Sequence, residues 1–260
     1  MGSLDRYHVN LTGVDGQQLH PSRLKTLDYL LNNRFGPDFV LNSVERLRSK
    51  KNVVLYLTFE ETEPGTPSEL VAKLFVMESY DNELQKLRLS REGGLSVPDV
   101  FDASNGVILM SYIPGEPLVT RINRTFDISD VEELAKWYYK YHSIHKEIKA
   151  DPRLRNFIWS KDGLFGVDFE ESCKGHWITD IGGTAASILD TEPVNDPRKR
   201  SLSWHLLKNY LDISNIERTA DIDKMFVQSI ADHLETTARW RQSTEIADLA
   251  QQIRHSGLSL

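Results

Sequence analysis

The chain has 260 residues, 40% of them hydrophobic and 27% charged, and carries a formal net charge of −7. This suits one large globular domain or two small lobes, and argues against a general nucleic-acid binder, whose domain would be basic. The single cysteine, Cys173, excludes an intrachain disulfide; no run approaches the roughly 18 apolar residues of a membrane span, and MGSLDRYHVN has no signal-peptide core, so a cytoplasmic setting without membrane insertion is expected.

The sequons at Asn10 and Asn123 then read as chance occurrences. Residues 22–34 place Leu24, Leu27, Leu30 and Leu31 at helical spacing, with Ser22 as candidate N-cap and Gly36-Pro37 as a stop. From residue 39 the texture turns β-branched and aromatic. FVLNSVERL, VVLYLTF and ELVAKLFVME read as three strands, separated by the polar RSKKN and by ETEPGTPS with its Pro-Gly turn. DNELQKLRLSREGG is helical and stops at Gly93-Gly94. VPDVFDASNGVILMSYIPG reads as two strands around Ser104-Asn105-Gly106.

Beyond Pro114-Gly115-Glu116-Pro117 the pattern is mostly helical. Residues 129–148 form an amphipathic helix capped by Ser129, and a short hairpin turns at Lys161-Asp162-Gly163. Residues 177–190, 201–211, 221–238 and 241–254 are candidate helices. The expected class is α+β: an N-terminal helical extension over 1–38, an antiparallel β portion with one helix over 39–114, and a helical portion over 115–260.

Three polar residues stand out around the short hairpin: Asp151, Asn156 five places later, and Asp168 at the end of its second strand. Alone, Asp-x4-Asn is frequent by chance. Here it follows a strand lysine, Lys73 in VAKLFV, whose neighbours are apolar and whose charge therefore wants a carboxylate. Glu83, at the start of the next helix, and Glu78 are both within reach in sequence. A Lys73 on a strand surface is the plainer alternative.

In this order, over roughly residues 40–190, the pieces resemble the two-lobed protein-kinase-like fold, in its small-molecule branch of aminoglycoside phosphotransferases, choline kinases and lipopolysaccharide kinase-like proteins, with the RIO kinases nearby. The resemblance implies transfer of the γ-phosphate of ATP to a hydroxyl of a small-molecule acceptor, with Mg2+. Asp151 would accept the hydroxyl proton, Asn156 and Asp168 would hold the metal, and Lys73 with Glu83 would meet the nucleotide phosphates. Ser49-Lys50-Lys51-Asn52 is similar to a phosphate-covering turn, with Ser49 and Asn52 at its ends; a solvated basic turn is the alternative. Met110 would back the nucleotide pocket, and Ser111 and Ile113 would offer backbone groups to adenine. Asp180 resembles the Asp that braces the catalytic loop, or is a helix N-cap.

The chain departs from the pattern in two places. The hairpin SVERLRSKKNVVLYL has no glycine, and Lys149-Ala150 stands where the family has His-Gly or His-Arg before the catalytic Asp. These departures keep open a nucleotide-binding scaffold without turnover, and the acceptor could also be a protein. Lys149 reads as solvent-facing or as neutralising transferred phosphate. Arg153 and Arg155 could meet an anionic substrate. His142, His145, Cys173 and His176 would make a zinc site only by converging, and His145 fits a packing role better. Arg198-Lys199-Arg200 reads as a solvated helix start. Trp204, His205, Trp240 and Arg241 are large, polar-capable residues in the region where this fold recognises acceptors.

Overall fold

The leucine spacing of the first helix is realised as α1, Ser22–Phe35. Its cap differs from the expectation: Pro21 occupies the N-cap position without a side-chain bond, and the Ser22 hydroxyl pairs with His20 Nδ1 at 2.7 Å. At the other end Gly36 takes φ +82°, a conformation that disfavours any Cβ, and its N–H donates to Asn32 O. Strands β1 (Leu41–Leu47), β2 (Val53–Phe59) and β3 (Glu69–Leu74) follow, then α2 (Asp81–Glu92), β4 (Val100–Ser104) and β5 (Val107–Ser111). The sheet order is β1-β2-β3-β5-β4 and every pair is antiparallel.

The structure, a computed structural model, describes residues 18–36, 40–49, 51–60, 67–76 and 80–259. The sequon at Asn10, Pro37, Lys50, the Pro-Gly turn at 64–65 and Glu78 lie outside the described residues. Residues up to Arg88 with Pro98–Ile113 form one unit; Leu89–Val97 with Pro114–Leu260 form the other.

In the first unit the period-two rule decides which side chains meet. Val53, Leu55, Leu57 and Phe59 of β2 are buried, and the register sets Leu55 opposite Ala72 and Ala72 opposite Leu109. Leu27, Leu30 and Leu31 of α1 share a core with these residues and with Leu70, Leu74 and Val107. Each such leucine contributes roughly 1.5–3 kcal/mol by burial. Arg23 anchors the same helix: its Nε donates to Phe75 O at 3.1 Å and its Nη1 to Asn105 Oδ1 at 2.8 Å. A Cβ at Gly106 would lie 2.4 Å from that guanidinium carbon, so the glycine is required where the Arg closes over the β4–β5 turn.

The second unit begins with a surprise in the expected connector. Glu116–Pro117 is a short strand, β6, followed by α3 (Leu118–Thr125) and α4 (Ile128–His145). Helix α3 was not anticipated: it is eight residues long and starts on a proline, and only its buried Leu118 and Ile122 mark it. The cap of α4 is Asp127, which accepts the Ser129 N–H at 3.0 Å, so Ser129 is one turn position inside. Strands β7 (Phe157–Ser160) and β8 (Gly163–Gly166) form the expected hairpin, and β6 pairs with β7 to make it a three-stranded sheet. Helices α5 (Ile178–Leu189), α6 (Pro197–Ser214), α7 (Ala220–Arg241) and α8 (Thr244–Ser256) complete the unit.

Two close approaches fix the region between these helices and the loop that precedes β7. A Cβ at Gly166 would stand 2.1 Å from the Trp137 ring, and one at Gly183 would stand 2.4 Å from Pro152. The absence of these side chains lets α4 pack on β8 and lets α5 press on the loop. Among the described residues no helix is long and apolar enough to cross a membrane.

Candidate functional site

Lys73 lies in β3, and alternation turns it away from α1. Leu70, Ala72 and Leu74 face the α1 core, while Val71, Lys73 and Phe75 take the other side of the strand. Lys73 is nevertheless only 6% exposed. Its Nζ meets Glu83 Oε2 at 2.5 Å and sits 5.1 Å from the Phe75 ring centroid. The carboxylate that the buried ammonium required is therefore Glu83, itself 2% exposed, in the first turn of α2. Strand pairing sets Met110 opposite Val71 and Ile108 opposite Lys73, so Lys73 and Met110 look out from one sheet face.

The ends of that face are framed by local bonds. Asn52 is buried, and its Oδ1 accepts the Val76 N–H at 3.2 Å, which ties the β1–β2 turn to the end of β3. Ser49 is half-exposed. The Ser111 N–H donates to Asp99 O and its hydroxyl accepts the Asp99 N–H, both at 2.9 Å. Ile113 is half-exposed just beyond β5.

In the second unit the loop before β7 is held from beneath by a buried carboxylate. Asp180, 0% exposed, accepts the backbone N–H of Lys149 at 2.6 Å and of Ala150 at 2.9 Å, and pairs with His142 Nε2 at 3.0 Å. Asp180 is not a cap, since Trp177 holds the N-cap position of α5, with no side-chain cap bond. Thr184 adds a bond to Pro152 O at 3.1 Å and Ser187 accepts the Leu154 N–H at 3.1 Å, both from α5. Ala150 is thereby kept at φ +64°.

Lys149 is not solvent-facing. It is 0% exposed; its ammonium donates to Asp168 O at 2.7 Å and Asp151 O at 3.2 Å, and lies over the rings of Phe157 and Phe169. A methylene stem among aromatics, with the charge on carbonyl oxygens and ring faces, explains why a lysine can be interred here. It joins the two segments on either side of the β7–β8 hairpin.

The three polar residues stand against this frame, Asp151 and Asp168 half-buried and Asn156 buried. Asn156 Nδ2 donates to Asp151 Oδ2 at 2.9 Å and Asp151 O at 3.2 Å, so both its protons point one way. Its carbonyl oxygen makes no hydrogen bond among the described residues. Asp151 Oδ1 faces Arg153 Nε at 3.3 Å. Asp168 is not on the strand: β8 ends at Gly166, and Asp168 adopts φ +65° in the following turn, which sends Phe169 into the aromatic cluster of Trp137 and Tyr141. Oxygens of the Asp168 and Glu170 carboxylates lie within 4.8 Å of each other. Carboxylate oxygens, with no nitrogen or sulfur among them, suit a hard divalent cation.

Comparison with solved structures gives the frame a relative. The chain is similar to a choline/ethanolamine kinase family protein from Mesorhizobium loti, with TM-score 0.59, 14% identity, and 92% of this chain and 94% of that one covered. It is similar to an amicoumacin kinase solved with AMP-PNP and Ca2+, with TM-score 0.62, 13% identity, and 90% and 92% covered. It is similar to APH(2")-IIa in complex with gentamicin, with TM-score 0.59, 12% identity, and 92% and 97% covered. The fold is the protein-kinase-like fold. No protein-family model matches the chain, and no curated protein matches it by sequence.

Within the kinase-like fold the remaining sequence candidates separate. His142 bonds Asp180 and the Tyr210 hydroxyl and His145 bonds the Ser90 hydroxyl at 2.8 Å, so these two histidines serve packing, while Cys173, in a backbone bridge with Ile148, and His176 are exposed. Lys199, read as solvated, is 0% exposed and donates to Thr191 O at 2.5 Å; Arg198 is the exposed member and pairs with the Asp196 cap. Trp204 packs on Phe226 and donates to Leu258 O. His205 is half-buried on α6. Trp240 is 63% exposed with Arg153 over its ring, and Arg241 pairs with Asp190. Sequence reasoning missed the burial of Lys149, although its position, two before Asp151, was the signal, and it missed Glu170 and Ser187, which no spacing marks.

Proposed function

We propose that this chain is a phosphotransferase that moves the γ-phosphate of ATP to a hydroxyl of a small molecule. The observation that carries the reading is the Asp151–Asn156 pair. The Asn amide directs both protons to Asp151 and leaves its carbonyl oxygen for another ligand, while Lys149 and Asp180 hold the loop that bears them. Asp151 would accept the proton of the attacking hydroxyl, with Asn156 fixing the orientation of its carboxylate. Asn156 Oδ1 and the Asp168 carboxylate, with Glu170 beside it, would hold Mg2+, which when bound screens the phosphate charge. Lys73, aimed by Glu83, would meet the α- and β-phosphates; Met110, Ser111 and Ile113 would contact the base; and the Ser49–Asn52 turn would cover the phosphates. The fold shared with small-molecule kinases supports a small acceptor.

The test has two steps. ATP with Mg2+ raises the melting temperature of the wild type, and Asp151→Ala keeps that shift while transfer to any acceptor falls by about 100- to 10,000-fold. Unchanged turnover in Asp151→Ala would refute the assigned base, and no shift with ATP would refute the phosphotransferase.

A further inference from the structure

Resting on the phosphotransferase reading, the second unit also carries information about the acceptor. Arg153 stands beside Asp151. Its Nε faces Asp151 Oδ1 at 3.3 Å and its guanidinium carbon sits 4.4 Å from the Trp240 ring centroid. Its side chain is 21% exposed, yet its two terminal nitrogens make no hydrogen bond among the described residues. A guanidinium held by its Nε edge and by stacking presents its remaining fork in a fixed plane, the geometry that accepts two oxygens of one carboxylate or phosphate.

The surrounding charges point the same way. Arg153 lies in the electrostatic neighbourhood of Asp151, Arg155, Asp190 and Arg241. Three guanidiniums and two carboxylates share that neighbourhood, in a chain that is net acidic. Asp190 is not open to an amine: it is 6% exposed, its Oδ2 pairs with Arg241 Nη2 at 3.1 Å, and its Oδ1 is enclosed. The exposed Trp240 ring, which could otherwise hold a quaternary ammonium, already carries Arg153 on its face. An amino-alcohol acceptor would find a cation where it needs a carboxylate or a free aromatic face.

We propose that the acceptor is an anionic alcohol, a hydroxy acid or a phosphorylated polyol, whose carboxylate or phosphate is bound by the Arg153 fork while its hydroxyl meets Asp151. The other source of an anion at this guanidinium is the phosphate in transfer, and the two are separable by kinetics. The probes are 3-phosphoglycerate, gluconate and phosphoserine, set against choline, ethanolamine and gentamicin, added to the full chain with Mg2+ and a non-hydrolysable ATP analogue and followed by calorimetry, then with ATP and followed by ADP release. The expected result is binding and turnover of at least one acid and of no amine. For that acid, Arg153→Gln raises the acceptor KM roughly ten- to a hundredfold and leaves the KM for ATP unchanged. Arg153→Lys, which keeps the charge and loses the fork, recovers only part. Preference for an amine, or no binding of any acid, overturns the inference. So does a rise in the KM for ATP with the acceptor KM unchanged, which would assign Arg153 to the transferred phosphate. Binding of Mg·ATP with turnover of an amine overturns this inference alone, whereas failure to bind Mg·ATP removes the phosphotransferase beneath it.

Discussion

Lys73 in the first unit and Lys149 in the second are both withdrawn from solvent, at 6% and 0% exposure, and their charges are met by different chemistry. Lys73 faces the Glu83 carboxylate across 2.5 Å. Lys149 donates to two backbone carbonyls and lies over two phenyl rings. A single carboxylate aims an ammonium in one direction. Two carbonyls from separate segments turn an ammonium into a staple, and the side chain then acts through the backbone of Asp151 and Asp168. Burial of the same residue type thus goes with an aimed charge in one case and support of a loop in the other.

The most damaging way to break the comparison is at Glu83. Glu83→Ala leaves Lys73 buried without its carboxylate and is expected to lower unfolding free energy by about 3–5 kcal/mol in urea titrations. The apolar pair Lys73→Met with Glu83→Leu recovers most of that loss. A Glu83→Ala protein as stable as wild type would mean that Lys73 does not depend on the pair.

The matching change in the second unit is Lys149→Met, which keeps the stem and deletes the donor. The two carbonyls lose a partner, and about 2 kcal/mol of stability goes with them. Hydrogen exchange over residues 150–156 should accelerate, because the staple ends there. Wild-type exchange rates in this loop would show that Asp180 suffices to hold it.

Ala150→Gly sharpens the account of the same loop. At φ +64° an L-residue carries roughly 1–2 kcal/mol of strain, while a glycine makes the unfolded chain more disordered by about 0.4–1 kcal/mol. The net expectation is a gain near 0.5 kcal/mol, read as a higher denaturation midpoint; a loss would place the strain elsewhere.

A further comparison concerns a third interred amine. Burial pushes the Lys199 ammonium down from 10.5 to about 8, and it donates to Thr191 as Lys149 donates to carbonyls. Between pH 8 and 10.5 the unfolded chain binds the proton that the folded chain has released, so stability rises with pH in that window. The unfolding midpoint of wild type relative to Lys199→Met should therefore move in favour of wild type between pH 7.5 and about 9.5. A constant difference would mean that Lys199 titrates alike in both states.

Much of this was legible along the chain. The α1 leucines, the alternating strands, the Asn105-Gly106 turn and the Asp-x4-Asn before a hairpin each rest on local spacing, and the corresponding elements form. The Lys73 partner was narrowed by chemistry to nearby carboxylates. Local signals misled where two candidates for one cap competed, as Asp127 did with Ser129, whereas Asp180, expected either to brace this loop or to cap a helix, does hold Lys149 and Ala150. The short β6 and α3 carry too few residues for any period to register.

By itself the sequence determined the order of helices and strands and the stock of oxygen donors and cations around residues 149–170, because periodicity and residue chemistry are local. Only the tertiary structure decided which charges are interred and what meets them. Lys149, Lys199 and Arg153 look alike in a sequence as basic residues near loops and helix starts. The first is sealed by rings from β7 and the turn after β8, the second meets Thr191 in the segment before α6, and the third is stacked on a tryptophan from α7. Burial is a property of neighbours distant along the chain, and no spacing rule reaches that far.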